Sequence, residues 1–390
     1  MYNYIDYNVE VCPLEAYLDN SATTFVCKEA ASEMQKAISD LWGNPSSLHQ
    51  KGIEAQEMLD SARKAVAKEL SCDAKEIIFT CGGTQGNNIA VFGAAHALKR
   101  KGNKVITTAV EHPSVAKAFE RLADEGFEVV FIGVDKYGKV DTQQLKKEID
   151  EKTILVSMMA VNNELGTIEP IEEVKAMIKE KASPALFHID AVQAFGKLPL
   201  NVKKLGADLM TVSSHKIHGP KGAGALFVKN GVRLLSPVVG GEQERDIRPG
   251  TEPMPAIAGF YGAIKALSVK DSLQKITALR DEFVEKLKKV DGVVINSGED
   301  ALPYIVNISL PGLPSEVVLN LLSDMEIYVS SGSACAKGHR STVLTAAGLD
   351  SSLVGSSVRI SMSRFTTKEE LDYLLEGIET ALKVIRRKKF

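Results

Sequence analysis

An alternation of short apolar segments with helical segments runs from residue 76 to residue 228, and it constrains the fold more than any other feature. The apolar segments, which we predict to be strands, span residues 76–80, 104–110, 127–133, 153–160, 185–190, 208–213 and 224–228. Helical segments lie between them, the first two at about 87–100 and 114–125. Strands that are apolar along their whole length indicate a parallel sheet with both faces covered. The sequence therefore predicts an α/β fold with a mostly parallel central sheet covered by helices.

The pattern changes after about residue 255. Helix-like segments at about 256–268 and 271–290 precede short strands and helices at 304–309, 315–324 and 357–363. The last helix, 367–387, begins with Thr367 and Glu370 at the spacing of a capping box, and its apolar residues recur on one face. We predict a large domain of residues 17–255. We further predict a smaller α+β domain of residues 256–390, against which residues 1–16 pack.

Composition argues against several classes of function. The 390 residues carry 47 Lys and Arg against 50 Asp and Glu, a net charge of −3. This balance lacks the excess of positive charge that nucleic-acid binding requires, so we expect no nucleic-acid partner. The most apolar run, 154–161, is far shorter than the roughly 20 residues that cross a bilayer, so we expect no membrane partner. The first residues show no basic and apolar export signal, so we expect a cytoplasmic protein.

The cysteines are few and scattered: Cys12, Cys27, Cys72, Cys81 and Cys335. No two are spaced Cys-x-x-Cys and none joins a tight Cys/His group, so we predict no metal site. An odd number of cysteines without an export signal indicates reduced thiols. Cys335 lies in a small, polar stretch, and the nearby Lys337, His339 and Arg340 would favour a thiolate. It is a candidate nucleophile, although an incidental loop thiol would show the same pattern.

Lys216 follows an apolar strand and precedes a turn rich in Gly and Pro. A lysine at a strand end in a large α/β domain can lose water and a proton, which suits Schiff-base chemistry. Ser213 and His215 stand beside it and are suited to hold a phosphate. The spacing alone would equally fit a lysine in a surface loop.

In sheets of this kind, ligands bind at the carboxyl ends of the strands. Two further predicted strands are followed there by polar or glycine-rich residues. The strand 185–189 ends in Asp190, which could pair with the pyridine nitrogen of pyridoxal phosphate (PLP) or simply cap a helix. Residues 80–87 join a strand to a helix through glycines that include Gly83. Backbone N–H groups at such a helix start favour a phosphate, although a plain turn between strand and helix has the same composition.

Taken together and in order, these segments resemble the cysteine desulfurases, which are PLP-dependent enzymes of fold type I in the class V aminotransferase group. The resemblance runs from about residue 17 to the end of the chain. It rests on Lys216, Asp190 and Cys335 and on the motifs YLDNSATT at 17–24, GNPSSLH at 43–49, EHPSV at 111–115, VNNELG at 161–166, RPGT at 248–251 and SGSAC at 331–335. Each motif alone would be weak evidence, whereas the combination is specific.

The resemblance implies a role for each matching residue. Lys216 would bind PLP covalently as a Schiff base and then move the proton on the substrate Cα. Asp190 would pair with the pyridine nitrogen, and Gln193 would hydrogen-bond the ring hydroxyl. His112 would stack on the ring and assist proton transfer. The amide of Asn163 would contact the cofactor or the substrate.

The resemblance also assigns the phosphate ligands and an assembly. The phosphate would be bound by the turn at Gly83 and by three side chains, those of Thr84, Ser213 and His215. Thr251 would reach the phosphate of a partner subunit's cofactor, which implies a homodimer. Gln85-Gly86 stands where relatives commonly have Glu-Ser, so this turn has one hydroxyl fewer.

The implied reaction is the removal of sulfur from L-cysteine, giving L-alanine and a persulfide on Cys335. Arg359 would clamp the substrate carboxylate, for which its planar fork is suited. The sulfur would pass to an acceptor protein: an iron–sulfur scaffold, a tRNA-thiolation enzyme or a sulfur carrier. A selenocysteine lyase or another PLP enzyme on the same fold stays open. So does a scaffold that docks sulfur carriers without turnover.

Overall fold

A computed structural model describes residues 15–331 and 341–385. Cys335, predicted to be the nucleophile, and most of the N-terminal extension lie outside these residues. No helix in the described ranges is long and apolar enough to cross a membrane.

Twelve strands and thirteen α-helices are found in the described ranges. The strands are β1 Ala16–Tyr17, β2 Ile77–Thr80, β3 Lys104–Thr108, β4 Glu128–Ile132, β5 Thr153–Met159, β6 Leu186–Asp190, β7 Leu209–Ser213, β8 Gly224–Val228, β9 Val294–Ile295, β10 Ile305–Ser309, β11 Ile327–Tyr328 and β12 Ser357–Ser361. The helices are α1 Lys28–Ser39, α2 Gln50–Leu70, α3 Gly83–Leu98, α4 Pro113–Asp124, α5 Thr142–Glu148, α6 Ile171–Glu180, α7 Val202–Leu205, α8 Met254–Lys265, α9 Val269–Leu287, α10 Ser315–Asp324, α11 Thr342–Ala346, α12 Ser351–Val354 and α13 Lys368–Val384.

The central sheet has seven strands in the order β2-β8-β7-β6-β5-β3-β4. All neighbouring strands pair in parallel except β8, which runs antiparallel to both β2 and β7. Every residue of β5, β7 and β8 is buried, so these strands are covered on both faces as their apolar sequences predict. One apolar cluster packs α3 and α4 against one face, and a larger cluster fills the other. The predicted α/β fold with a mostly parallel sheet is confirmed.

A second, antiparallel sheet of order β12-β10-β9 is formed by the C-terminal third of the chain. The N-terminal strand β1 pairs in parallel with β11, and Asp19 forms a bridge with Ser361 at the end of β12. The start of the described chain thus lies against elements far away in sequence. The predicted capping box of α13 is present, because Thr367 and Glu370 each accept a hydrogen bond from the other's backbone N–H.

The glycine-rich turn after β2 differs from the prediction. The sequence predicts a helix from about Asn87, whereas α3 begins at Gly83. Gly82, just before it, has φ 140°, a conformation that favours glycine, and this allows the chain to turn directly from the strand into the helix. Thr84 therefore belongs to the first helical turn, where backbone N–H groups have no partner within the helix.

Candidate active site

Asp190 is the last residue of β6, and its buried carboxylate lies at the carboxyl edge of the central sheet. One oxygen, Oδ2, accepts a hydrogen bond from Asn87 Nδ2 of α3 at 2.7 Å. The other, Oδ1, accepts one from the Val192 backbone N–H at 3.0 Å. The neighbouring helix α3 and the turn after β6 each supply one of these donors. Together the two hydrogen bonds fix the direction of the carboxylate.

Lys216 follows the end of β7, the next strand of the sheet. Its Nζ donates to the backbone oxygens of Ser21 and Ala22, the second at 2.8 Å. The YLDNSATT segment therefore lies against the lysine. Its position after β7 places Lys216 at the carboxyl edge of the sheet.

His112 is the N-cap of α4, and its Nδ1 accepts a hydrogen bond from the Ser114 backbone N–H at 3.1 Å. Burial lowers the pKa of His112, the Asp190 carboxylate opposes that shift, and the Lys216 ammonium adds to it. The imidazole is thus close enough to both residues for their charges to shift its pKa. The structure brings His112, Asp190 and Lys216 together at one edge of the sheet.

The turn before α3 and the end of β7 form a polar cradle. A Cβ on Gly83 would lie only 2.8 Å from Val192 Cγ2 and 3.9 Å from Ser213 Cβ, so a side chain there would crowd this space. The buried Ser213 hydroxyl has no hydrogen-bond partner in the described part of the chain. Free N–H groups at a helix start and an unpaired hydroxyl fit a phosphate.

Two other residues predicted for the phosphate lie beside this cradle. Thr84 is exposed in the first turn of α3. His215 Nδ1 lies 3.2 Å from Thr23 Oγ1. Burial, followed by the nearby Lys216 ammonium, lowers the pKa of His215 to about 4, so its ring is neutral at pH 7 and can donate one N–H. Together with the carboxylate of Asp190, these groups fit the phosphate and the ring nitrogen of PLP.

Gly86 does not face the cradle. A Cβ at this position would lie 2.7 Å from Thr211 Cγ2 in β7, so it points into the sheet. Thr211 Oγ1 in turn contacts His188 Nε2 at 3.0 Å, and His188 Nδ1 contacts Ser157 Oγ at 2.8 Å. A serine hydroxyl at residue 86 would therefore approach Thr211 and not the phosphate cradle.

Gln193 is buried and its amide is held at both ends. The Nε2 group donates to the Ser21 backbone oxygen at 3.0 Å, and Oε1 accepts from Lys197 Nζ at 2.9 Å. The Ser21 oxygen is the same atom that accepts from Lys216. Gln193, predicted to contact the cofactor ring, therefore shares a hydrogen-bond acceptor with the lysine predicted to bind the cofactor.

Arg359 reaches the site from β12 in the second sheet. Its Nη2 forms an ion pair with Asp19 Oδ1 at 2.7 Å, and its Nη1 donates to the Asn163 backbone oxygen at 3.1 Å. The buried Nε has no hydrogen-bond partner in the described ranges. The half-buried Asn163, the other residue predicted to bind substrate, thus lies beside Arg359.

Thr251 lies in an exposed segment after a turn. That turn is tied to the phosphate cradle through Arg248, whose guanidinium donates to the Gly250 oxygen at 3.1 Å and lies 3.1 Å from Cys81 Sγ. Thr251 is therefore displayed on the surface near the start of α3.

Sequence reasoning missed four groups that shape the site: Asn87, Asp19, Glu111 and Lys197. Asn87 was visible as a polar residue at the start of an otherwise apolar helix. Glu111 is buried beneath the site, where its Oε1 accepts from Thr108 Oγ1 and from the Met159 backbone N–H, both at 2.8 Å. Burial raises the pKa of Glu111 well above its usual range.

Comparisons with known proteins agree with this geometry. A family model described as aminotransferase class-V matches residues 16–374. A cysteine desulfurase IscS of Dictyoglomus turgidum is 39% identical over 378 residues, 95% of each chain. A solved structure titled NifS-like protein is 36% identical, with a TM-score of 0.90 over 95% of this chain and 100% of the other. Another, titled SspA in complex with cysteine, is 32% identical, with a TM-score of 0.80 over 90% of this chain and 100% of the other. The chain therefore belongs to the class V aminotransferase family of PLP-dependent enzymes.

Proposed function

We propose that this protein is a cysteine desulfurase, which converts L-cysteine into L-alanine and a protein-bound persulfide. The observation that carries the proposal is the convergence of Asp190, His112 and Lys216 at the carboxyl edge of the sheet. A carboxylate, an imidazole and an amine on neighbouring elements supply what a PLP enzyme needs at the ring nitrogen, the ring face and the reacting carbon. The relative from Dictyoglomus turgidum, which is named a cysteine desulfurase, supports the choice of substrate.

The residues at the site divide into those that hold PLP and those that act on the substrate. When bound, PLP withdraws electrons from the substrate Cα and makes the proton there acidic. Asp190 would keep a proton on the ring nitrogen, and the cradle formed by Gly83, Thr84 and Ser213 would hold the phosphate. Lys216 Nζ would take the Cα proton and return it to a neighbouring carbon, because it can act as a base whenever it is uncharged.

Arg359 would bind the substrate carboxylate. It is 3% exposed, so its charge is poorly hydrated and attracts a carboxylate strongly. Its Nε has no hydrogen-bond partner in the described ranges, which leaves a donor available. The neighbouring Asn163 amide would contact the substrate or the cofactor. A related solved structure is titled as a complex with cysteine, which supports an amino acid of this size as the ligand.

Cys335 would be the nucleophile, a role that rests on the sequence. Its thiolate would attack the sulfur of the substrate, forming an S–S bond as the substrate C–S bond breaks. The electron pair of that bond goes to the substrate carbon, which takes up a proton, so the products are alanine and a Cys335 persulfide. The balance requires no external oxidant. The persulfide sulfur would pass to a protein acceptor for iron–sulfur cluster assembly or for thiolation of tRNA.

We also propose that the protein acts as a homodimer in the cytoplasm. The large apolar side chains that are mostly exposed in the single chain include Trp42 at 67%, Val239 at 93% and Leu48 at 96%. A second copy that covers them would remove this surface from water. In such a dimer the exposed Thr251 would be available to the phosphate of the partner's cofactor.

The test is the catalytic formation of alanine and sulfide from L-cysteine by the PLP-loaded protein with a dithiol reductant. We expect equal amounts of the two products. Lys216→Ala should abolish both, and Cys335→Ser should bind PLP but form no alanine catalytically. Cys72→Ser, a half-buried thiol at the end of α2, is the matched control and should turn over normally.

Two outcomes would contradict the proposal. Normal turnover by Cys335→Ser would remove the persulfide role. No alanine from a protein that does bind PLP would exclude L-cysteine as the substrate, and selenocysteine would then be the next compound to test. A protein that binds no PLP would leave only a scaffold function.

A further inference from the structure

Lys197 is a lysine buried behind the proposed site. It follows Gly196, whose φ of 70° turns the chain so closely against Ile217 that a Cβ would lie 2.7 Å from the Ile217 side chain. The Lys197 side chain is thereby directed into the protein, where the residue is 5% exposed. In the described part of the chain it forms no ion pair with a carboxylate, although buried lysines usually have one. Its hydrogen-bond acceptor is Gln193 Oε1, at 2.9 Å.

This hydrogen bond and the one to Ser21 together fix the orientation of the Gln193 amide. The oxygen and nitrogen of a glutamine amide are otherwise interchangeable in space, but a protonated lysine can only donate and the Ser21 backbone oxygen can only accept. Oε1 must therefore face Lys197, and the NH2 group must face the other way. There it donates to the Ser21 oxygen, which also accepts from Lys216. Lys197 and Lys216 are thus joined through one side chain and one backbone oxygen.

The two lysines also interact through their charges. Burial, followed by the nearby Lys216 and Arg359 cations, lowers the pKa of Lys197 to about 7. The interaction is mutual, so a charged Lys197 also disfavours a proton on Lys216. Three other ionisable groups lie near enough to Lys216 or to its neighbours for their charges to interact. They are His215, next to Lys216, His112 at the start of α4, and Asp190 of β6.

We propose that Lys197 is a positioning residue for the cofactor. Through Gln193 it directs an amide N–H towards the ring hydroxyl, and its charge lies close to the nitrogen that binds PLP. An N–H donor at that hydroxyl stabilises the oxygen anion next to the bond between Lys216 and the cofactor. Both effects favour loss of the proton from that bond at lower pH. The inference rests on the proposed function, because it assumes that PLP is bound at Lys216.

The test compares the wild type with Lys197→Met, which has nearly the same length but can neither donate nor carry a charge. The readout is the visible absorption of bound PLP as a function of pH, which reports protonation of the bond to Lys216. We expect the midpoint to rise by about one pH unit in the variant. The PLP dissociation constant should rise about tenfold, as for a lost hydrogen bond to a charged group.

Several variants separate positioning from a general loss of structure. Lys204→Met changes an exposed lysine in the same way and should leave both values unchanged. Gln193→Leu should shift the midpoint in the same direction as Lys197→Met, and the double variant should shift it by less than the sum of the two. If Lys197→Met does not fold, Lys197→Gln retains a polar group but removes the charge, and it should give the same direction of shift.

Failure of the positioning role of Lys197 and failure of the proposed function would give different results. An unchanged midpoint and an unchanged PLP affinity in both Lys197 variants would overturn the positioning role while leaving the proposed function intact. Fully additive effects of Lys197→Met and Gln193→Leu would also overturn it, because the lysine would then act independently of the amide. A wild-type protein that binds no PLP would contradict the proposed function itself.

Discussion

Asp19 and Arg359 form an ion pair of 2.7 Å across 340 residues of sequence, between the N-terminal segment and a central residue of β12. Because the arginine is 3% exposed, removing either charge would leave the other poorly solvated. The same arginine is the proposed ligand of the substrate carboxylate. Asp19 therefore orients the guanidinium and at the same time competes with the substrate for it.

Arg359→Lys should raise KM for L-cysteine. A lysine keeps the charge but cannot contact Asp19, the Asn163 oxygen and a substrate carboxylate in three fixed directions. Losing one charge-assisted hydrogen bond corresponds to a KM increase of roughly 10- to 100-fold. Steady-state kinetics would measure this, with kcat changing less than KM. Arg121→Lys, at an exposed residue of α4, is the control, and an unchanged KM in Arg359→Lys would exclude the proposed carboxylate contact.

Asp19→Asn should have the opposite effect on substrate binding. The amide keeps an oxygen that can accept from Arg359 but loses the charge that repels the substrate carboxylate, so KM should fall several-fold. The weaker pairing of a buried arginine should lower the free energy of unfolding by about 1–3 kcal/mol. Steady-state kinetics and urea denaturation measure the two effects. A variant with a higher KM would show that Asp19 mainly orients the arginine.

Asn87→Ala should weaken PLP binding, because Asn87 Nδ2 is the side chain that donates to Asp190. The expected loss is about tenfold in the dissociation constant, measured by titrating the apo protein with PLP. Asn87→Asp should bind PLP even less well, since two carboxylates would then face each other. Asn103→Ala, at an exposed residue before β3, is the control. Equal affinity of all four proteins would show that Asn87 does not support the carboxylate.

The apolar strands were the most predictable part of this fold. The strands from β2 to β8 lie within two residues of their predicted ends, since strands buried on both faces leave an apolar run that stands out from its surroundings. The start of α3 was not predictable in the same way. Its first turn, Gly83 to Gly86, contains residues of weak helix propensity, and the helix begins there because Gly82 allows the chain to turn.

The candidate site was predictable only where a residue's position along a strand indicated its place. Asp190 and Lys216 follow apolar strands, so their common edge could be inferred from the topology of a parallel sheet. Asp19 and Lys197 could not be found in that way. The partner of Asp19 lies 340 residues away, and Lys197 resembles any surface lysine until the turn at Gly196 directs it inwards.

Gly86→Ser should destabilise the protein and should not add a phosphate ligand, because residue 86 faces Thr211 in β7. A serine Cβ would lie 2.7 Å from Thr211 Cγ2, and overpacking of this kind costs about 1–3 kcal/mol of unfolding free energy. Thr211→Ser removes that methyl group but keeps the hydroxyl that contacts His188.

The double variant Gly86→Ser/Thr211→Ser should therefore recover most of the loss. Urea denaturation of the four proteins forms a double-mutant cycle. Additive effects would mean that the two side chains do not meet.

His188→Gln should reduce the dependence of stability on pH in the acid range. Burial lowers the pKa of His188 to about 3, against about 6.5 in an unfolded chain. Between these values the unfolded state binds one proton that the folded state does not, so stability rises with pH. The rise is about 1.4 kcal/mol per pH unit, and the full contribution is present above about pH 6.5. Glutamine can still hydrogen-bond Ser157 and Thr211 but does not titrate.

The measurement for His188 is the free energy of unfolding from urea titrations between pH 4 and pH 6, chosen about the middle of that window. Carboxylates titrate in both proteins, so their contribution cancels in the difference between the two slopes. That difference should correspond to one proton. Equal slopes would mean that His188 is protonated in the folded protein, and its two hydroxyl partners would then both have to accept hydrogen bonds from the ring.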